Sequence, residues 1–164
     1  MLCLTLVTSE ASSLRPPALA ASGEMFAALI EDVISASRRS GGEEAEEQAW
    51  MDRRLRWQAA AIPLRMARHL SSTHLSPDQA DILIGLQLDT LDRILREEPG
   101  RASMQPSLER LRQFLREGRP LEHVEAAIET TQHSYRRQYS AFRLSHRRWR
   151  MRQDFEAGRP WSHR

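Results

Sequence analysis

The sequence predicts an all-α protein, an irregular bundle of about five helices with a long amphipathic helix at its C-terminal end. Apolar residues recur at helical spacing in five segments, capping and terminating residues separate these segments, and no stretch alternates like a half-buried strand. The length of 164 residues, with 40% hydrophobic and 28% charged residues, fits one compact domain. We expect a mobile tail over residues 1–21, a single helical domain over 22–158 and a second tail over 159–164.

The first two helices are predicted from apolar periodicity and from the residues at their ends. Ser22 is the expected N-cap of the first helix, whose apolar positions recur over 26–34 before a glycine pair ends it. The second helix begins with the acidic run 43–47, because a helix N-terminus favours negative charge. Pro63 inside this helix predicts a kink or a break near 60–62.

The third helix has the most clearly marked start in the chain. Ser76 is its predicted N-cap, Pro77 its first helical residue and Gln79 the second half of a capping box. Its body is apolar around most of its circumference, which predicts the central helix of the core. The fourth helix is predicted to begin near Pro106 and to end at Gly118, the expected C′ residue.

The fifth helix is predicted from about Pro120 to Ala157, with Gly158 closing it. Its apolar residues repeat every seven positions, as in a helix that packs along one face. They are Leu121, Ile128, Tyr135, Phe142 and Trp149. The complementary heptad positions hold Val124 and Thr131 at first and polar residues later. We therefore expect the first half of this helix to pack on the bundle and the second half to project beyond it.

The charges are unevenly distributed along the chain. All 24 basic residues are arginine, which excludes lysine chemistry such as a Schiff base or a phosphate-loop lysine. Residues 1–100 carry 10 Arg against 15 acids, and residues 101–164 carry 14 Arg against 7 acids. The net charge of +2 therefore combines −5 in the first part with +7 in the second.

The strongest candidate for a functional surface lies over residues 134–152, which hold seven arginines, four aromatic residues and no acid. On a helix, this composition predicts a basic ridge with an apolar ridge roughly opposite. The predicted partner-binding residues are Tyr135, Arg136, Arg137, Tyr139, Phe142, Arg143, Arg147, Trp149 and Arg150. Guanidinium groups pair with carboxylates or phosphates, and exposed rings fill a partner's pocket or stack on bases. The alternative is that the rings belong to the core and that the acidic run 43–47 pairs with the arginines.

We hypothesise a small cytoplasmic regulatory or adaptor protein, not an enzyme, that binds a protein partner through helix faces. Self-association through the heptad stripe of the fifth helix is a related hypothesis. The second hypothesis is a protein that binds nucleic-acid phosphates through the basic ridge, and the third is a metal-dependent or other helical enzyme. Helices four and five resemble a helix-turn-helix, but Glu122, Glu125 and Glu129 would meet phosphates with the wrong sign.

Compartment and cofactor signals are few. Cys3 is the single cysteine, so the chain forms no internal disulfide, and its apolar N-terminal run is too short for a signal peptide. We expect a cytoplasmic location and no membrane partner. Glu125, Glu129 and His133 share one helix face, but carboxylate-bridged metal bundles use Glu-x-x-His, and Gln132 stands at that position. We predict no cofactor, no metal site and no catalytic residue.

Overall fold

A computed structural model describes residues 17–38 and 45–158, which form five α-helices with no strand among them. The helices are α1 (Pro17–Arg38), α2 (Ala45–Ser71), α3 (Pro77–Ile94), α4 (Arg101–Arg116) and α5 (Leu121–Glu156). The predicted all-α bundle with a long last helix is confirmed. No helix in the described ranges is both long enough and apolar enough to cross a membrane.

The core lies where α2, α3, α4 and α5 meet. α2 packs most extensively on α3, α5 packs on α4 and α2, and α1 lies across α3 and α2. Each of the four central helices places a large, fully buried side chain in this core: Trp57, Leu91, Leu108 and Ile128. The apolar stripes that the sequence predicts for these four helices therefore face one another.

The first helix begins earlier than predicted. α1 starts at Pro17, five residues before Ser22, so residues 17–21 are helical rather than part of a tail. Proline suits the first position of a helix, because the N–H that it lacks has no partner there in any case. Residues 1–16 and 159–164, the rest of the two predicted tails, lie outside the described residues.

α2 runs through Pro63 without the break that was predicted. Pro63 is buried, and side chains of α5 donate to α2 carbonyls on both sides of it. The Tyr135 hydroxyl donates to the carbonyl of Trp57, and Gln132 Nε2 donates to the carbonyl of Leu64 over 3.3 Å. A proline costs a helix one backbone hydrogen bond, and these contacts from α5 stabilise the segment around it.

The capping box of α3 is confirmed. The Ser76 hydroxyl accepts from the amide of Gln79, and Gln79 Oε1 accepts from the amide of Ser76, both over 3.4 Å.

α4 begins at Arg101, not near Pro106, which lies inside the helix. The helix extends back because the fully buried Met104 and Leu108, four residues apart, form its inner face, while Pro106 is exposed. Gly118 has a φ of 59° directly after this helix, so its predicted C′ role is confirmed.

Two glycines provide a matched test of the packing around Trp57. A Cβ on Gly100, before α4, would lie 2.9 Å from Cζ2 of the buried Trp57 ring. We expect Gly100→Ala to lower the free energy of unfolding by about 1–3 kcal/mol, because the ring has to shift. A Cβ on Gly85, within α3, meets no atom within 4 Å. Gly85→Ala should therefore raise stability by about 0.5–1 kcal/mol. Urea unfolding measures both changes, and a neutral Gly100→Ala would contradict the packing.

Candidate functional site

The aromatic residues of the predicted partner-binding set pack inward. Tyr135 and Phe142 are only 8% and 6% exposed, and Tyr139 and Trp149 are half-buried. Tyr135 and Phe142 lie 5.7 Å and 6.5 Å from the ring of Trp57, centroid to centroid. These rings belong to the core, as the alternative interpretation of the sequence had it, and they do not form an exposed ridge.

The match between α2 and α5 explains this outcome. Trp50 and Trp57 stand seven residues apart on α2, so they meet the seven-residue repeat of α5. The Trp50 ring lies 5.5 Å from Phe142 and 6.0 Å from Trp149. The second half of α5 therefore packs on α2 as far as Trp149, and the expectation that this half projects beyond the bundle is wrong up to that residue. The tryptophan spacing on α2 is the sequence feature that indicates it.

A buried carboxylate anchors the aromatic cluster. Glu98, in the connection between α3 and α4, is 4% exposed. Its Oε2 accepts from Trp57 Nε1 and from Arg53 Nε, both over 3.1 Å. The Arg53 guanidinium also lies 4.9 Å from the ring centroid of Trp50 and 5.0 Å from that of Phe142. One arginine thus links the buried carboxylate to the rings of α2 and α5.

His146 is stacked in the same cluster, with ring centroids 5.2 Å from Trp50 and 5.8 Å from Trp149. Among the described residues, its Nε2 is the one buried side-chain nitrogen or oxygen without a hydrogen-bond partner. Burial, followed by the positive charges of Arg150 and Arg54, lowers the pKa of His146. The neutral ring therefore packs here as an aromatic side chain.

The acidic run 43–47, at the start of α2, contacts α5 through an indole. Glu46 Oε2 accepts from Trp149 Nε1 over 3.1 Å. Neither Glu46 nor Glu47 forms an ion pair with an arginine of α5 in the described part of the chain. Residues 43 and 44 lie outside the described ranges. The described part of the run therefore does not neutralise the predicted basic ridge.

The arginines of the candidate surface are all exposed, and none forms an ion pair with another residue of 17–38 or 45–158. At about 100° per residue they form two rows on the outer face of α5. One row holds Arg136, Arg143, Arg147 and Arg150, and the other holds Arg137, Arg148 and Arg152. The two rows leave a strip of helix surface between them.

That strip is apolar. Leu144 is 55% exposed, Phe155 is 76% exposed and Met151, between them in the chain, is partly exposed. Their spacing of seven and four residues places them on one line along the helix. We call these three residues, with the two arginine rows beside them, the arginine-flanked stripe. The apolar residues of the stripe are absent from the predicted set, although their spacing in the sequence indicates them.

The remaining candidate cluster is the set of possible metal ligands on α5. Glu125, Glu129 and His133 are exposed on α5. Within the described ranges, no group of three or more His, Cys, Asp or Glu side chains is placed to hold a metal ion.

The hydroxyl of Tyr135 provides a test of the contact between α2 and α5. Burial raises the pKa of Tyr135 to about 12 from an ordinary value of 10.0. Because the folded-state pKa lies above the unfolded-state value, its contribution to stability is complete below pH 10.0 and is lost as the pH rises through about 12.

We expect Tyr135→Phe to remove this loss of stability between pH 10.0 and about 12. The variant should also lack the increase in tyrosinate absorbance near pH 12. Urea unfolding and absorbance titration of both proteins measure the two effects. Equal pH dependence in the variant and the parent would contradict the burial of this hydroxyl.

Comparisons of the chain with protein families, with curated proteins and with solved structures find no match. A helical bundle is compatible with many functions, which depend on the residues and charges of its sites.

Proposed function

We propose that this protein is a cytoplasmic, non-enzymatic adaptor that binds an acidic, amphipathic helix of a partner protein on the arginine-flanked stripe. One observation carries the proposal: the exposed apolar line runs from Leu144 to Met151 between two rows of arginines that have no acidic partner among the described residues, and Phe155 continues this line past the last arginine.

The stripe has the chemistry of one half of a helix pair. Two paired helices bury an apolar seam and place opposite charges along its flanks. A partner that complements this surface supplies apolar side chains to Leu144, Met151 and Phe155 and carboxylates on either side. Guanidinium groups suit this role, because their planar fork pairs with both oxygens of a carboxylate.

The buried aromatic face favours a protein partner over a nucleic acid. Single-stranded nucleic acids bind through base stacking on exposed rings as well as through phosphate contacts. In α5, Tyr135 and Phe142 are buried and Trp149 packs on Trp50, which leaves Phe155 as the one largely exposed Phe, Tyr or Trp ring of the described helix, and a single ring offers little base stacking. The same packing occupies the heptad stripe that would otherwise favour self-association.

The size of the surface predicts a transient complex. From Leu144 to Phe155 the helix rises about 16 Å, which is short for a permanent interface. Much of the binding free energy must then come from charge pairs, so the affinity should fall as the salt concentration rises.

Titration of the full chain with defined probes tests the proposal. The first probe is a synthetic helical peptide whose glutamates flank a leucine line at spacings of seven and four. The second is a scrambled peptide of the same composition, and the others are generic duplex DNA and single-stranded RNA. At low salt we expect the amphipathic peptide to bind about tenfold more tightly than its scrambled isomer, because only the former buries the apolar line. Equal binding of the isomer would contradict the proposal, and tighter binding of a nucleic acid would favour the second hypothesis.

Matched variants separate the apolar and charged parts of the stripe. Leu144→Ser with Phe155→Ser should abolish the preference for the amphipathic peptide. Replacing Arg136, Arg143 and Arg150 by Gln should weaken both peptides by roughly fivefold or more. The control replaces three exposed arginines elsewhere, Arg65, Arg96 and Arg116, by Gln. A loss of affinity in the control as large as that in the stripe variant would show that only net charge matters and would contradict the proposal.

A further inference from the structure

A cleft of about 530 Å³ lies between α4 and the first part of α5. Two alanines and six larger or polar residues line it, and none of them carries a carboxylate. The six are Ser107, Arg110, Phe114, Arg119, His123 and Thr130. This volume falls within the usual range of small-molecule sites.

Basic groups meet around one ring in this cleft. The Cζ atoms of Arg110 and Arg119 lie 5.4 Å and 5.7 Å from the ring centroid of Phe114. The imidazole of His123 lies 6.4 Å from the same ring, centroid to centroid. Stacking on the ring restricts the guanidinium planes and leaves their N–H edges able to donate.

The hydroxyl groups of the cleft already use their protons. Ser107 Oγ donates to the carbonyl of Met104 over 2.8 Å, and Thr130 Oγ1 donates to the carbonyl of Ala126 over 2.9 Å. The side-chain donors left for a ligand therefore belong to the two arginines and the histidine. A ligand that fits them presents several acceptor oxygens and negative charge.

Ion pairs within the protein use only some of the donors of the two cleft arginines. Arg119 Nε pairs with Glu117 Oε2 over 2.7 Å, which uses one edge of that guanidinium. Arg110 forms no ion pair with any residue in the described ranges. The whole guanidinium of Arg110 and the remaining N–H groups of Arg119 can therefore donate to an anion in the cleft.

We propose that this cleft binds a small phosphomonoester, with its phosphate between Arg110 and Arg119 and its organic part against Phe114 and the two alanines. A phosphate group has three terminal oxygens for the two guanidinium groups and the imidazole, whereas a carboxylate has two. The apolar part of the lining favours an ester over free phosphate. The lining of this cleft shares no residue with the arginine-flanked stripe, whose nearest arginine, Arg136, lies about 9 Å further along α5 than Thr130.

NMR titration of the full chain tests this site, with phenyl phosphate, inorganic phosphate and uncharged benzyl alcohol as probes. We expect phenyl phosphate to shift the resonances of the cleft and to bind more tightly than inorganic phosphate, while benzyl alcohol does not bind. Equal affinity of phenyl phosphate and inorganic phosphate, or shifts that fall only on other arginines, would overturn the proposal.

Variants assign the binding to the cleft. Arg110→Gln with Arg119→Gln should weaken phenyl phosphate about tenfold or more, because charged hydrogen bonds are lost. Phe114→Leu keeps an apolar side chain and should reduce the preference for phenyl phosphate over inorganic phosphate. The control, Arg65→Gln with Arg96→Gln, should bind as the parent does. An equal loss in the control would mean counterion binding alone and would overturn the proposal.

Discussion

The indole N–H of Trp57 donates to the buried carboxylate of Glu98, and this contact determines how four helices meet. Trp57 lies on α2, Glu98 connects α3 to α4, and the rings of α5 pack on the indole. A buried carboxylate is costly without hydrogen bonds, and the indole and Arg53 supply them here. Gly100 lets the connection approach the ring, because a side chain at that position would collide with it.

This anchor divides α5 into two chemically different faces. Its aromatic face is held against α2, so its arginine face turns outward over the same turns of helix. No acidic residue lies between 134 and 152, and the described acids of α2 leave these arginines unpaired. Like charges along one helix repel one another, so a bound partner of opposite charge would stabilise this face.

Local sequence features predicted the fold where they act alone, as in the capping box at Ser76 and the terminating glycine at position 118. Local features gave wrong predictions where tertiary packing overrides propensity. Contacts from α5 keep α2 helical through Pro63, and burial of Met104 places the start of α4 before Pro106. The exposed arginines of the candidate site were predictable from composition. The burial of its rings stayed one of two alternatives, because the spacing of Trp50 and Trp57 shows that α2 can match α5 but not that the two helices are neighbours. The cleft beside Phe114 likewise exists only once α4 and α5 are paired.

Amide hydrogen exchange in variants of Glu98 tests the anchor most directly. In Glu98→Leu the indole N–H loses its acceptor, so residues 139–150 of α5 should lose protection while residues 124–132 keep theirs. Glu98→Gln retains the size of the side chain and an acceptor for Trp57, and it should lose less protection. Unchanged protection of residues 139–150 in Glu98→Leu would contradict the claim that this contact holds the second half of α5 on α2.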